Sequence, residues 1–138
     1  MAKNRFADLK VGQYYEQRYV IEEKAGEEFA AISGDYNPIH LDEEVAEKSI
    51  FKKKIVHGML VGSYISGIIG NEFPGEGSIY MTQNLSFMKP IYYNETIIIR
   101  IEITDLVMER KRVYLKTICT NEQGEILVNG DALIKLDN

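Results

Sequence analysis

"IVHGMLVGSYISGIIG" occupies residues 55–70, and its reading decides the fold. Gly58, Gly62, Ser66 and Gly70 recur every four residues within it. In a helix each step of four overshoots a full turn by about 40°. The four positions therefore form one slowly winding stripe of minimal side chains. A glycine weakens a helix by about 1 kcal/mol relative to alanine. Such a stripe is favoured where a sheet, another helix or a ligand must approach the backbone closely. The run is short against the roughly 20 apolar residues of a membrane span, and it carries His57. We read 57–71 as the longest helix of the chain, buried in a soluble protein.

After this helix the pattern changes. "FPGEGS" (73–78) is a turn-rich connection, and a period of two follows it. Strands are expected over 79–87, 96–106, 112–120 and 125–136. In the second of these, Ile97, Ile99, Ile101 and Ile103 share one face, and Ile98, Arg100, Glu102 and Thr104 the other. "NEQG" (121–124) supplies a hairpin turn, and Gly130 is a candidate bulge. Consecutive strands joined by short connections are expected to pair antiparallel.

Before the long helix, "GQYYEQRYVI" (12–21) reads as a first strand. "EEKAGEEFAAIS" (22–33) reads as a short helix stopped at Gly34, and Asp42 is placed to cap a second short helix, "EEVAEKS". A sheet with one apolar face needs a cover, and only the central helix is large enough. The expected fold is α+β: a curved antiparallel sheet wrapped around one long central helix, as a single domain over 1–138. No repeats, linkers or low-complexity segments interrupt it.

The net charge of −5 argues against nucleic acid as a partner, since such binders carry a basic excess or stripe. Two small basic clusters remain, Lys52–Lys54 and Arg110–Arg112. Each is either solvated loop charge or a landing spot for ligand phosphates. With one cysteine, Cys119, no internal disulfide can form, which fits a reducing cytoplasm. "MAKNRFADLK" at the start has no apolar core of the kind a signal peptide needs. We expect a cytoplasmic protein with no membrane attachment.

The chemistry concentrates in "AISGDYNPIHLD" (31–42). Asp35 and His40 are five residues apart, which puts them on different faces of a helix and on opposite sides of a strand. Only a turning loop aims both into one cleft, and Pro38 provides a turn. Read as residues alone, Asp35 is either a turn acid bonded to its own backbone or half of an acid/base pair holding one water. His40 is either a packed imidazole or the other half. His57 is read as a ring packed at the start of the long helix, outside the catalytic set. No serine elbow, phosphate-binding glycine loop or ligand-like His/Cys spacing is present, so no metal is expected.

"FAAISGDYNPIHLD" (29–42) resembles the hydratase signature of the MaoC-like dehydratases, the (R)-specific enoyl-CoA hydratases. That pattern runs Ser/Thr-Gly-Asp-x-Asn-Pro-aliphatic-His-x-Asp. Ser33, Gly34, Asp35, Asn37, Pro38, Ile39, His40 and Asp42 satisfy each element of it. "IVHGML" (55–60) and "GSIYMTQNLSFMKPIYYNE" (77–95) also resemble the family, in the expected order, so the likeness spans nearly the whole chain. It implies the hotdog fold and the reversible hydration of trans-2-enoyl-CoA to (R)-3-hydroxyacyl-CoA, in a pathway left open among polyester precursor supply, fatty-acid metabolism and fermentation. It implies Asp35 and His40 as the catalytic pair and the backbone N–H of Gly58 as the donor to the thioester oxygen. Ser66 matches a supporting site position, and Asn37 would shape the loop and orient the pair. No cofactor is implied beyond the coenzyme A carried on the substrate, for whose phosphates Lys52–Lys54 is our candidate patch. A homodimer with sheets joined edge to edge, or a larger homo-oligomer, is expected. The competing readings are a hotdog thioesterase and a non-catalytic acyl-CoA-binding module.

Overall fold

The computed structural model describes residues 2–137. Its main elements are β1 (Tyr14–Val20), α1 (Glu23–Ser33), α2 (Glu43–Glu47), α3 (Gly58–Asn71), β2 (Ser78–Phe87), β3 (Thr96–Val107), β4 (Arg112–Asn121) and β5 (Ile126–Leu136). The expected elements are all present, with ends displaced by a residue or two.

All five strands form one antiparallel sheet in the order β1-β3-β4-β5-β2. Its inner face is set by the alternation in β3, where Ile97, Ile99, Ile101 and Ile103 are fully buried. Val113, Leu115 and Cys119 of β4 and Ala132, Ile134 and Leu136 of β5 extend that face. Against it lie Leu60, Val61, Ile65, Ile68 and Ile69 of α3, all in the same apolar cluster. Fully burying such a side chain contributes about 1.5–3 kcal/mol, so this helix–sheet seam dominates the stability of the fold.

Two expectations are corrected. First, β2 does not pair with its successor β3; it lies at the far edge, against β5. The connection from Met88 to Glu95 spans the sheet instead of turning back. At its start the N–H groups of Met88 and Lys89 donate to Leu127 O, ahead in β5; near its end Asn94 N–H donates to Ile21 O, just after β1. Pro90 in the middle lacks an N–H for a hairpin ladder. Second, Gly130 is not a bulge. It sits in register opposite Leu85 and Thr117, while the irregularities fall at Tyr80/Thr82, Ile103/Asp105 and Cys119/Thr120. What Gly130 supplies is room: a Cβ there would lie 2.3 Å from Asn84 O and 2.7 Å from Thr117 Oγ1.

The small-residue stripe of α3 divides in two. A Cβ on Gly58 would come within 2.6 Å of the Phe87 ring, and one on Gly62 within 3.0 Å of Leu85. The first two members of the stripe thus let β2 side chains settle on the helix backbone. Ser66 and Gly70 are exposed.

Candidate active site

The loop after α1 is a succession of turns, each fixed by a side chain. Gly34 ends the helix in the left-handed region, at φ 80°, with its N–H donating to Ala30 O. Asp35 N–H donates to Ser33 Oγ at 3.1 Å. Asn37 N–H donates to Asp35 Oδ1 at 3.1 Å, and Ile39 N–H to Asn37 Oδ1 at 3.2 Å. A single 3-10 turn, Pro38–His40, follows, and Asp42 caps α2 by accepting from Glu44 and Val45. Short polar side chains that bond to backbone two residues on are what allow so sharp a path.

This path brings His40 against His57, the residue that precedes α3. His40 Nδ1 lies 2.8 Å from Ile55 O. A carbonyl can only accept, so Nδ1 carries the proton and Nε2 keeps its lone pair. Tyr93 Oη donates to His40 O at 3.1 Å, which fixes the backbone behind the ring. Burial pushes the His40 pKa below the ordinary 6.5. His57 pushes it the same way, while the bond to Ile55 and the charge of Asp35 act against them.

Asp35, His40 and Gly58 line one cavity of about 380 Å³. Its remaining wall is largely apolar, with Phe51, Ile55, Met59, Phe87 and Met88 prominent. Gly58 is the first residue of α3, and a first-turn N–H has no partner within its own helix. The positive end of the helix dipole and a free donor therefore face the same space as the carboxylate and the imidazole.

Other sequence candidates fall elsewhere. The Asn37 side chain is spent on Ile39 N–H, and the residue does not line the cavity. Ser66 lies eight residues along α3 from Gly58, about 12 Å along the axis. It lines a separate groove with Met59, Gly62 and residues 80–83 of β2. Lys52–Lys54 border a third hollow together with Glu23, Glu43 and Glu47. Lys54 is ion-paired with Glu23, and Lys53 lies over the Tyr92 ring at 4.6 Å. The cation at the cavity itself is Lys89, paired with Glu125.

The residue that sequence reasoning set aside is His57. It is buried against the pair, with its ring stacked on His40 at 3.9 Å between centroids and Nε2 3.0 Å from Asp35 O. Atoms of Asp35, His40 and His57 lie within 4.8 Å of one another. Each histidine has already committed one ring nitrogen to a backbone carbonyl. Spacing along the chain could not reveal this, because 22 residues separate His57 from Asp35. The only signal was that both histidines of the chain stand in the two motifs.

A curved sheet around one helix, with an acid, an imidazole and a helix N-terminus around an apolar cavity, defines a hotdog-type site for acyl chemistry. The chain belongs to the MaoC-like domain family, whose model matches residues 7–125. Over 129 residues it is 37% identical to an (R)-specific enoyl-CoA hydratase of Rhodospirillum rubrum, covering 94% of this chain and 89% of that one. It is 41% identical over 108 residues to an (R)-specific enoyl-CoA hydratase of Aeromonas caviae, covering 78% and 81%. The solved R-hydratase of Pseudomonas aeruginosa superposes with a TM-score of 0.91 at 38% identity, covering 96% of this chain and 85% of that one.

Proposed function

We propose that this chain is an (R)-specific enoyl-CoA hydratase. It adds water reversibly to trans-2-enoyl-CoA and gives (R)-3-hydroxyacyl-CoA. The observation that carries this reading is the meeting of Asp35, His40 Nε2 and the start of α3 around one cavity. The thioester oxygen lies at the Gly58 N–H, and the acyl chain runs along the apolar wall. Asp35 and His40 hold one water between them. As its oxygen attacks C3, His40 Nε2 takes a proton, and the electron pair of the C2–C3 double bond moves toward the thioester carbonyl. The Gly58 N–H and the helix dipole stabilise the oxygen as it gains charge. His40 then gives that proton to C2, so the pair returns to its starting state. Asn37 acts through the loop: its N–H holds the Asp35 carboxylate, and its side chain sets the next turn.

The working form is a homodimer, joined at the free edge of β2. The groove holding Ser66 borders the same strand, so Ser66 belongs to the subunit contact or its margin. Cys119 is buried in β4, where desolvation pushes its pKa up to about 12 and leaves the thiol unreactive. No helix among the described residues is long and apolar enough to cross a membrane.

The test is a turnover assay with trans-2-butenoyl-CoA. Hydration removes the absorbance of the conjugated thioester and releases no thiol, and the product is the (R)-alcohol. Release of free coenzyme A would make the chain a thioesterase. Binding without turnover would make it an acyl-CoA-binding module.

A further inference from the structure

The catalytic role of Asp35 and His40 uses two side chains and leaves the second histidine unexplained. His57 is 1% exposed, among the most deeply buried large side chains of the chain. Its ring is held on three sides: by the His40 ring, stacked at 3.9 Å with 24° between planes; by the Phe29 ring, edge-on at 5.0 Å; and by the Asp35 carbonyl. The carbonyl accepts, so the proton of His57 is on Nε2. Nδ1 has no hydrogen-bond partner among the described residues. A buried imidazole used only as filler would be a poor choice, since an unmatched ring nitrogen costs about 1–3 kcal/mol against an apolar ring of similar shape.

We propose that His57 is a positioning residue for the hydration reaction. Its Nε2–H fixes the backbone of Asp35 while its ring forms the floor on which His40 lies, so the two catalytic groups share one support. His57 immediately precedes Gly58, the oxyanion donor of the reading above on which this inference rests. One dipeptide thus ties the base, the acid and the donor to the same helix start. The rings are held as opposite tautomers by two backbone carbonyls: His40 by Nδ1–H to Ile55, His57 by Nε2–H to Asp35. The bare nitrogen of His40 is thereby reserved for the water. The charged and titratable groups around the stack are Asp35 on the loop and Lys89 across the cavity. On the outer side of His40 are Glu23, Glu27, Tyr36 and Lys54, with Tyr93 behind its carbonyl.

Two measurements test this. The first uses the wild-type protein and needs no turnover: nitrogen-15 spectra of the two imidazoles near neutral pH. The expected result is a protonated Nδ1 with bare Nε2 at His40, and a protonated Nε2 at His57. The reverse tautomer at either ring overturns the proposal. The second compares His57→Phe and His57→Gln with wild type on trans-2-butenoyl-CoA. Phenylalanine keeps the stack but cannot hold the Asp35 carbonyl; the glutamine amide can. His57→Phe is expected to lose about 10²-fold in kcat with KM changed less than threefold, and His57→Gln to recover at least part of that loss. With the neighbouring imidazole gone, the acid limb of kcat/KM in His57→Phe is expected to move to higher pH. Wild-type kcat with an unmoved acid limb in a folded His57→Phe overturns the proposal. So does a loss no better in His57→Gln. If His57→Phe does not fold, the wild-type spectra and His57→Gln decide. A wild-type protein that hydrates nothing defeats the functional reading and leaves the tautomer result standing.

Discussion

Three polar atoms of Asp35 are hydrogen-bonded. Its N–H donates to Ser33, its carbonyl accepts from His57, and one carboxylate oxygen accepts from Asn37 N–H. All three bonds survive in Asp35→Asn, because an amide oxygen accepts as a carboxylate oxygen does. That variant is therefore expected to melt within a few degrees of wild type and still bind the thioester, while kcat for trans-2-butenoyl-CoA falls by about 10²- to 10⁴-fold. A binding module would show no difference between the two proteins. As the proposed base, His40 acts only when neutral, and burial lowers its pKa below 6.5. The acid limb of kcat/KM should thus have its midpoint below 6.5, and activity should be flat from there to neutrality. The sign for stability follows from the same shift. Just below pH 6.5 the unfolded chain binds the proton more readily than the folded one, so stability rises with pH through that window and levels off above it. His40→Ala should remove this dependence, read as the difference between urea midpoints across that pH range.

At the scale of elements, Gly26 is set by a neighbour rather than by its dihedral angles. Gly26 is in the middle of α1, where alanine would ordinarily add about 1 kcal/mol of helix propensity. A Cβ there would fall 2.0 Å from Tyr93 Oη, the hydroxyl that holds the His40 carbonyl. Gly26→Ala is expected to reverse the propensity gain, costing about 1–3 kcal/mol by overpacking and lowering kcat as His40 loses its anchor. A urea titration and the turnover assay check both. The periodicity of single elements was legible from sequence. The isoleucines at alternate positions of β3 had to be buried together, and the run of apolar and small residues in α3 had to face them. Pairing was less legible. β1 and β2 both take partners distant in sequence, and nothing in "SFMKPIYYNE" states that it crosses the sheet until the bonds to Leu127 and Ile21 are seen. The site was legible as a turn with an acid and an imidazole. Its third wall was not, because His57 reaches it through tertiary packing.

For the molecule as a whole, the two sheet edges differ in kind. The β1 edge carries Glu16 and Arg18, exposed charges of the sort that keep an open edge single. The β2 edge is "SIYMTQNLSF", ten residues without a charge or a proline, and Ile79, Tyr80, Met81 and Phe87 are exposed along it. An uncharged open strand of that length is a template for another copy of itself. Beside it lies the groove with Ser66, Ser63 and Met59. A mass of twice the 15.8 kDa chain is expected by light scattering at micromolar concentration. Met81→Lys places a charge on the strand without touching Asp35, His40 or Gly58, and it is expected to shift the mass toward one chain. If the cavity stands complete within one protomer, turnover per chain stays near wild type as the dimer dissociates. If the second copy closes the mouth that holds the acyl group, KM for trans-2-butenoyl-CoA rises with dissociation while the tautomers of the two histidines stay as they are. A Met81→Lys protein that keeps the dimer mass would move the subunit contact away from β2.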